Sequence, residues 1–362
     1  GFLGLSGAVL IQVYEALFPG KPSSFLLMLA IVPTLLSLSL MFLVKIQHHS
    51  HPHSLHDQNY INGFSLISIA LASYVMLLIL SSKLFVLSQW IHSISLLPLL
   101  ILLCSPLGVA VKSGLRETPD SAPLLVADDE TDCDLQQMDL LQALRSLDFW
   151  LLFAAMLCGM GSGLATIDNL AQVGESLNYS PTQCSTLVSL WSVWNFAGRF
   201  GSGYLSDASA RRYGLERPAL MVASLAAMGG GHFVIGSGLP GNLYVGSVVV
   251  GLCYGSQWSL MPTVASEVFG VRHFGTIFNA VAAASPLGSY VWSVRVIGYL
   301  YDREGGGVPG GCRGVRCFRS AFFILGCVAV LGSFVAVVLL LRTRGIYGTI
   351  MMRSRRRRSM LA

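Results

Sequence analysis

The residues that could act on a solute are few, and nearly all of them interrupt apolar runs. Asp168, Asn169 and Gln172 fall in one such run and Arg295 in another. A charge inside an apolar stretch is a functional candidate because lipid penalises it. Asp168 and Arg295 are expected near the outer ends of their runs, where they would pair as an outer gate if the two helices face each other. A permanent structural pair, or independent snorkelling of each, is the alternative. Protonation of Asp168 would add protons as a second transported partner. Tyr254, Gln257 and Trp258 follow or flank the small residues Gly251 and Gly255. They offer hydrogen bonds and an aromatic wall to a solute, although helix packing alone accounts equally well for the glycines. Asn195, beside Trp191 and Trp194, and the pair Asn279 and Ser285 complete the pathway candidates.

A second group sits at a helix-loop junction. Gly198-Arg199-Phe200-Gly201-Ser202-Gly203 leads into Asp207, Arg211 and Arg212. Glycines let two helices approach closely, and an acid followed by bases can pair with neighbouring helix ends and release them during a rocking motion. Arg199 precedes Asp207 closely enough to be assigned to this gating loop rather than to the solute. Glu267 and Arg272 flank Phe269-Gly270 and are expected to act as latches between helices.

Other chemistries lack machinery. The chain has no HExxH pair, no Gly-x-Ser-x-Gly elbow and no phosphate-cradling Gly-x-x-x-x-Gly-Lys-Ser/Thr, which argues against a hydrolase or a nucleotide-driven pump. His48, His49, His51, His53 and His56 form a cluster framed by no cysteine and by Asp57 alone, the pattern of a solvated loop more than of a metal sensor. No metal and no cofactor are expected. The tail Arg353-Ser354-Arg355-Arg356-Arg357-Arg358 follows the last apolar run directly, so anionic lipid headgroups are its expected partner and nucleic acid is not.

These residues must be positioned by the apolar runs themselves. With 53% hydrophobic and 11% charged residues, the chain lies far from the soluble average of about 25% charged. Ten stretches are read as spans: Phe2 to Leu17, Phe25 to Val44, Ile61 to Leu80, Phe85 to Val109, Phe149 to Val173, Leu187 to Leu205, Leu220 to Gly238, Leu243 to Val264, Phe274 to Tyr301 and Phe318 to Leu341. Most have the roughly 20 residues that cross a bilayer. Because lipid cannot satisfy an open backbone, an all-α membrane protein is expected. Lys and Arg gather in alternate connections and in the tail, which sets that side as cytosolic. Cys312 and Cys317 then fall in the last outer loop, where they are either a disulfide across a Gly-rich turn or two free thiols. The acidic stretch 111–147 reads as a solvated cytosolic linker, with Leu135 to Leu147 a candidate for a short amphipathic helix on the membrane.

The Gly203, Asp207, Arg211 and Arg212 spacing resembles the signature loop of the major facilitator superfamily. Ala208 and Ser209 stand where that loop usually has a basic residue and a glycine. A closer resemblance is to the plant nodulin-like, NUCLEAR FUSION DEFECTIVE 4-like branch. It rests on Gly1 to Gln12, on Ile167-Asp168-Asn169 with Gln172 and Leu177-Asn178-Tyr179, and on Pro286 to Asp302 with its Gly288, Tyr290, Arg295 and Gly298. The resemblance implies two six-helix bundles joined by two additional helices, with about four N-terminal helices preceding this chain. Residues 1–44 would then be the remainder of the N-terminal bundle, and 45–110 the His-rich loop and the additional pair. Residues 111–147 would be the linker, 148–342 the C-terminal six-helix bundle and 343–362 a basic cytosolic tail. It further implies alternating access to a small, unidentified solute, with polar residues of the first, second, fourth and fifth helices of each half facing the pathway. A scaffold or receptor that keeps the fold without flux is the alternative, and an integral-membrane enzyme is a weaker one. The resemblance does not distinguish the plasma membrane from an endomembrane.

Overall fold

The computed structural model describes residues 9–10, 12–14, 16–17, 22–41, 55–84, 89–116, 137–306 and 312–361. Every regular element among them is helical. The chain divides into two compact units, residues 4–126 and 127–362.

In the first unit, α1 (Pro22–Met41), α2 (Leu55–Leu84) and α3 (Gln89–Arg116) account for the second to fourth apolar runs. The α2 and α3 helices pack around Leu71, Val75 and Leu99, each at most 1% exposed. The Tyr74 hydroxyl crosses this seam to donate to the Ser95 carbonyl at 2.9 Å. The His-rich loop and the acidic run 128–134 lie outside the described residues, apart from the backbone at His56.

In the second unit, Asp139 caps α4 (Leu140–Arg145) reciprocally with Gln142. The expected amphipathic helix is thus shorter than 135–147, because Ser146 ends it and immediately caps α5 (Leu147–Ser176). Next come α6 (Pro181–Tyr213), α7 (Arg217–Ser237) and α8 (Asn242–Phe269). Ser180 and Gln183 box the start of α6, with Pro181 in its first turn, where a missing N–H costs nothing. Gly214 ends it at φ 65°, a conformation that suits glycine.

The ninth run is not one straight helix. It breaks into α9 (Phe274–Ala282), α10 (Ala284–Ser289), a π-helical segment Tyr290–Gly298 and α11 (Tyr299–Gly305). Pro286 supplies the cause of the first break: it cannot donate to the carbonyl of Ala282, four residues back, and α9 ends there. The last helix, α12, runs from Arg316 to Leu361.

Among the described residues, Leu147–Ser176, Arg217–Ser237 and Arg316–Thr349 are long and apolar enough to cross a membrane. Ser23–Ser39, Gly63–Ile79 and Ser93–Pro106 are shorter apolar stretches. The more polar α6 and α8 fall below that criterion, and they pack against each other. A side chain on Gly198 would overlap the Leu252 carbonyl, and one on Gly255 would overlap that of Asn195. The two backbones therefore touch, as small residues allow. A similar contact joins α5 to α10, where a Cβ on Gly288 would lie 2.6 Å from the Leu157 carbonyl oxygen and 2.8 Å from the Gly161 Cα. Around these seams Leu152, Met156, Met160, Leu225, Met228, Met261, Phe322 and Leu325 form a fully buried core.

Candidate functional site

Polar side chains converge where α5, α6, α8 and α10 meet. Tyr254, in the middle of α8, is 7% exposed. Its hydroxyl has Trp258 and Ser285 as polar neighbours and feels the charges of Arg199 and Asp168. Both Trp258 Nε1 and Ser285 Oγ are buried, and among the described residues neither reaches a partner at full hydrogen-bond geometry. The Arg199 guanidinium donates from Nε to Asn195 Oδ1 at 3.0 Å and lies 5.2 Å from the Trp258 ring centre. It has no ion pair among the described residues. An intramembrane arginine costs about 3 kcal/mol on insertion scales, so one held by a neutral amide and an indole face is a strong functional marker.

Arg199, expected to serve the gating loop, contacts Asn195 and Trp258 instead of Asp207. Its eight-residue lead over Asp207 corresponds to about 12 Å of helix, which separates the two along α6. Gln257 also departs from expectation. It turns into the core, where Nε2 meets Met228 Sδ at 3.1 Å and Oε1 is buried against Gly159 without a partner.

The Asp168 end of the α5 and ninth-run interface is organised by serines rather than by a charge pair. Asp168 accepts a hydrogen bond from Ser289 Oγ at 2.8 Å, and Asn169 Nδ2 donates to Ser293 Oγ at 2.7 Å. Ser289 and Ser293 are four residues apart and share a face, whereas Arg295 follows by two more and points elsewhere. Its guanidinium lies 5.9 Å from the Tyr290 ring centre instead. The two helices do face each other, but the expected Asp168 to Arg295 pair is not formed. Gln172 and Asn279 are exposed on their helices.

At the end of the unit where α6 turns into α7, four helices are tied by one knot. Arg217 donates from Nη1 to Asp207 at 2.8 Å and from Nε to Glu267 at 2.6 Å, and it also reaches Ser206 Oγ at 3.0 Å. The Tyr347 hydroxyl donates to the other Glu267 oxygen at 2.9 Å. Arg217 opens α7, where the helix dipole disfavours a cation, and two carboxylates offset that cost. Burial pushes the Glu267 carboxyl above its ordinary range, opposed by Arg217 and Tyr347. Asp207 and Glu267 thus pair through a cation that the Gly-Asp-Arg spacing did not suggest. Arg212 is exposed, and the Arg211 side chain lies outside the described residues. Arg272 engages through its backbone N–H, which donates to Gln137 Oε1 at 3.0 Å. Gly203 faces Ser259 across the α6 and α8 seam.

Two further features bear on the site. His232 in α7, wholly buried, sits 3.2 Å from Ser162 Oγ and 3.4 Å from Thr166 Oγ1. A histidine inside an apolar run was a signal available in the sequence. Cys312 and Cys317 are joined as a disulfide with Cα atoms 5.8 Å apart. Among the described residues no three metal-ligating side chains come together.

Fold and site define an all-α, multi-pass integral membrane protein with polar groups gathered between its helices. The family model for the NFD4 C-terminal domain matches residues 135–349, and the Nodulin-like model matches residues 1–111. The chain belongs to this nodulin-like, NFD4 family. Among individual relatives, Protein NUCLEAR FUSION DEFECTIVE 4 of Arabidopsis thaliana is 27% identical over 210 residues, covering 56% of this chain and 35% of that protein. A probable transporter mch1 of Aspergillus fumigatus is 30% identical over 235 residues, covering 54% of this chain and 37% of its own. A second probable transporter mch1, from Emericella nidulans, is 28% identical over 215 residues, covering 49% and 34%. The matched region spans about a third of the length of these relatives.

Proposed function

We propose that this chain forms part of a secondary-active or facilitative transporter that moves a small solute by alternating access, and is not an enzyme. The observation that carries the reading is the convergence of Arg199, Tyr254, Trp258, Ser285 and Asp168 from four helices, with two of their buried polar atoms left unpartnered. A core built only for stability would pair those groups or replace them with apolar ones. The relatives named as probable transporters support the same reading.

In this account α5, α6, α8 and the ninth run line one side of the pathway. The small-residue seams keep each pair of helices rigid while the half rocks. The Arg217, Asp207, Glu267 and Tyr347 knot holds the cytosolic ends together in one state and releases them in the other. Asp168, exposed and held by Ser289 alone, is the group through which protons would couple to flux. The basic tail contacts anionic lipid. Residues 148–342 are assigned to the C-terminal bundle and 1–44 to the remainder of an N-terminal one.

The test is flux into proteoliposomes containing the longest natural form of the protein, with sugars, organic anions and amino compounds offered separately. Saturable uptake of one class, reduced by Tyr254→Ala, is the expected result. No uptake of any class above that of empty vesicles would sink the reading and leave a scaffold or receptor.

A further inference from the structure

The side chains gathered around Tyr254 are unusually rich in donors. Arg199 carries five N–H groups and spends one, from Nε, on Asn195. The indole N–H of Trp258 and the hydroxyl of Ser285 are buried beside the Tyr254 hydroxyl, and neither reaches a partner at full hydrogen-bond geometry among the described residues. The Tyr254 phenol adds another O–H beside them. Of the nearby acceptors, Asn195 Oδ1 takes the Arg199 proton and Asp168 Oδ2 takes the Ser289 proton. No carboxylate pairs with Arg199 among the described residues. A guanidinium without an ion-pair partner, set beside further donors, is complementary to a group that only accepts and carries negative charge.

The geometry points to a carboxylate-bearing organic anion as the solute, held by the free Nη edge of Arg199. That edge presents a planar fork matching the two oxygens of a carboxylate. Trp258 and Ser285 would supply the remaining donors, and the Trp258 ring, already beneath the guanidinium, would form the wall of the site. Asn195 acts as a positioning residue, since its bond to Nε fixes the plane of the fork. This assignment rests on the transport reading for its physiological meaning, but its binding step can be tested separately.

The experiment measures equilibrium binding to the purified protein in nanodiscs, by thermal shift and tryptophan fluorescence at constant ionic strength. The probes are unbranched carboxylates of two to six carbons, each paired with its neutral amide, together with inorganic phosphate and simple amines. The expected result is a saturable response to at least one carboxylate and at least tenfold weaker binding of its amide. Arg199→Gln should lose that response tenfold or more. Arg199→Lys, which keeps the charge but not the fork, should retain an intermediate affinity and controls for misfolding. The carboxylate-to-amide comparison on the unaltered protein stands even if both variants fail to fold. No response to any carboxylate, equal binding of carboxylate and amide, a preference for phosphate or amines, or undiminished binding by a folded Arg199→Gln variant overturns the assignment. Carboxylate binding through Arg199 without vesicle flux would uphold it while defeating the transport reading. Flux of a neutral solute untouched by Arg199→Gln would do the reverse.

Discussion

Gly288→Ala tests the packing that holds the candidate site. A Cβ at Gly288 would stand 2.6 Å from the Leu157 carbonyl oxygen, whereas ordinary contact begins at 3.4 Å, so α10 must retreat from α5 by up to 0.8 Å. Both neighbours of that Cβ are backbone atoms, Leu157 O and Gly161 Cα, so no flexible side chain can swing aside. Overpacking of this kind costs about 1–3 kcal/mol. The retreat also pulls on the Ser289 bond to Asp168 and the Ser293 bond to Asn169, which lie on the same seam. Gly230→Ala in α7 is the matched control, because an added Cβ there meets nothing within 4 Å. Alanine should stabilise that helix by up to about 1 kcal/mol. Gly161→Ala should resemble Gly288→Ala, and the double variant should cost less than the two added together, since one separation of the helices relieves both. Unfolding in a mild detergent, followed by near-ultraviolet circular dichroism, gives these differences. Equal stability of Gly288→Ala and Gly230→Ala, or full additivity of the glycine pair, would refute the close backbone contact.

The cytosolic knot should behave as a coupled unit. Arg217→Ala should destabilise by about 1–3 kcal/mol, and a double-mutant cycle between it and Glu267→Gln should show coupling of about 1 kcal/mol or more; independent effects would deny the pair. The pH dependence follows from the raised Glu267 carboxyl. A carboxyl raised in the folded state binds its proton more tightly there. Its contribution to stability is therefore fully present below the unfolded pKa, near 4.5, and is lost as pH rises through the folded value. Glu267→Gln should flatten the melting temperature across that window, and an unchanged profile would mean that another group titrates. Reduction of the Cys312 and Cys317 bridge should expose two thiols to a membrane-impermeant maleimide added from the outer side; labelling only from the cytosolic side would invert the topology.

The long apolar runs follow from hydropathy, which acts locally along the chain. That Asp207 and Glu267 stand at helix ends beside small residues was legible for the same reason. Their cation was not, because Arg217 reaches them only after the chain reverses at Gly214. The contacts of Arg199 with Asn195 and Trp258 were not legible from its nearness in sequence to Asp207, because two turns of α6 lie between the two residues. The break at Ala282 was signalled by Pro286, but the π-helical segment that follows carries no comparable mark. That segment also decides which side chains meet α5, and so it made Ser289, not Arg295, the partner of Asp168.

The central claim is that one face of this helical unit meets water while equally exposed apolar faces meet lipid. Asp168 and Asn279 are exposed on the proposed pathway, whereas Leu331 and Phe334 on α12 are 58% and 65% exposed. With Cys104, Cys133, Cys158, Cys184, Cys253 and Cys327 replaced and the Cys312 to Cys317 disulfide kept, a single added cysteine at each position can be challenged in membranes with a small charged methanethiosulfonate, which reacts only with hydrated thiols. Asp168→Cys and Asn279→Cys should react readily, and Leu331→Cys and Phe334→Cys should stay unmodified. Comparable reactivity at all four positions, or reaction confined to α12, would contradict the pathway.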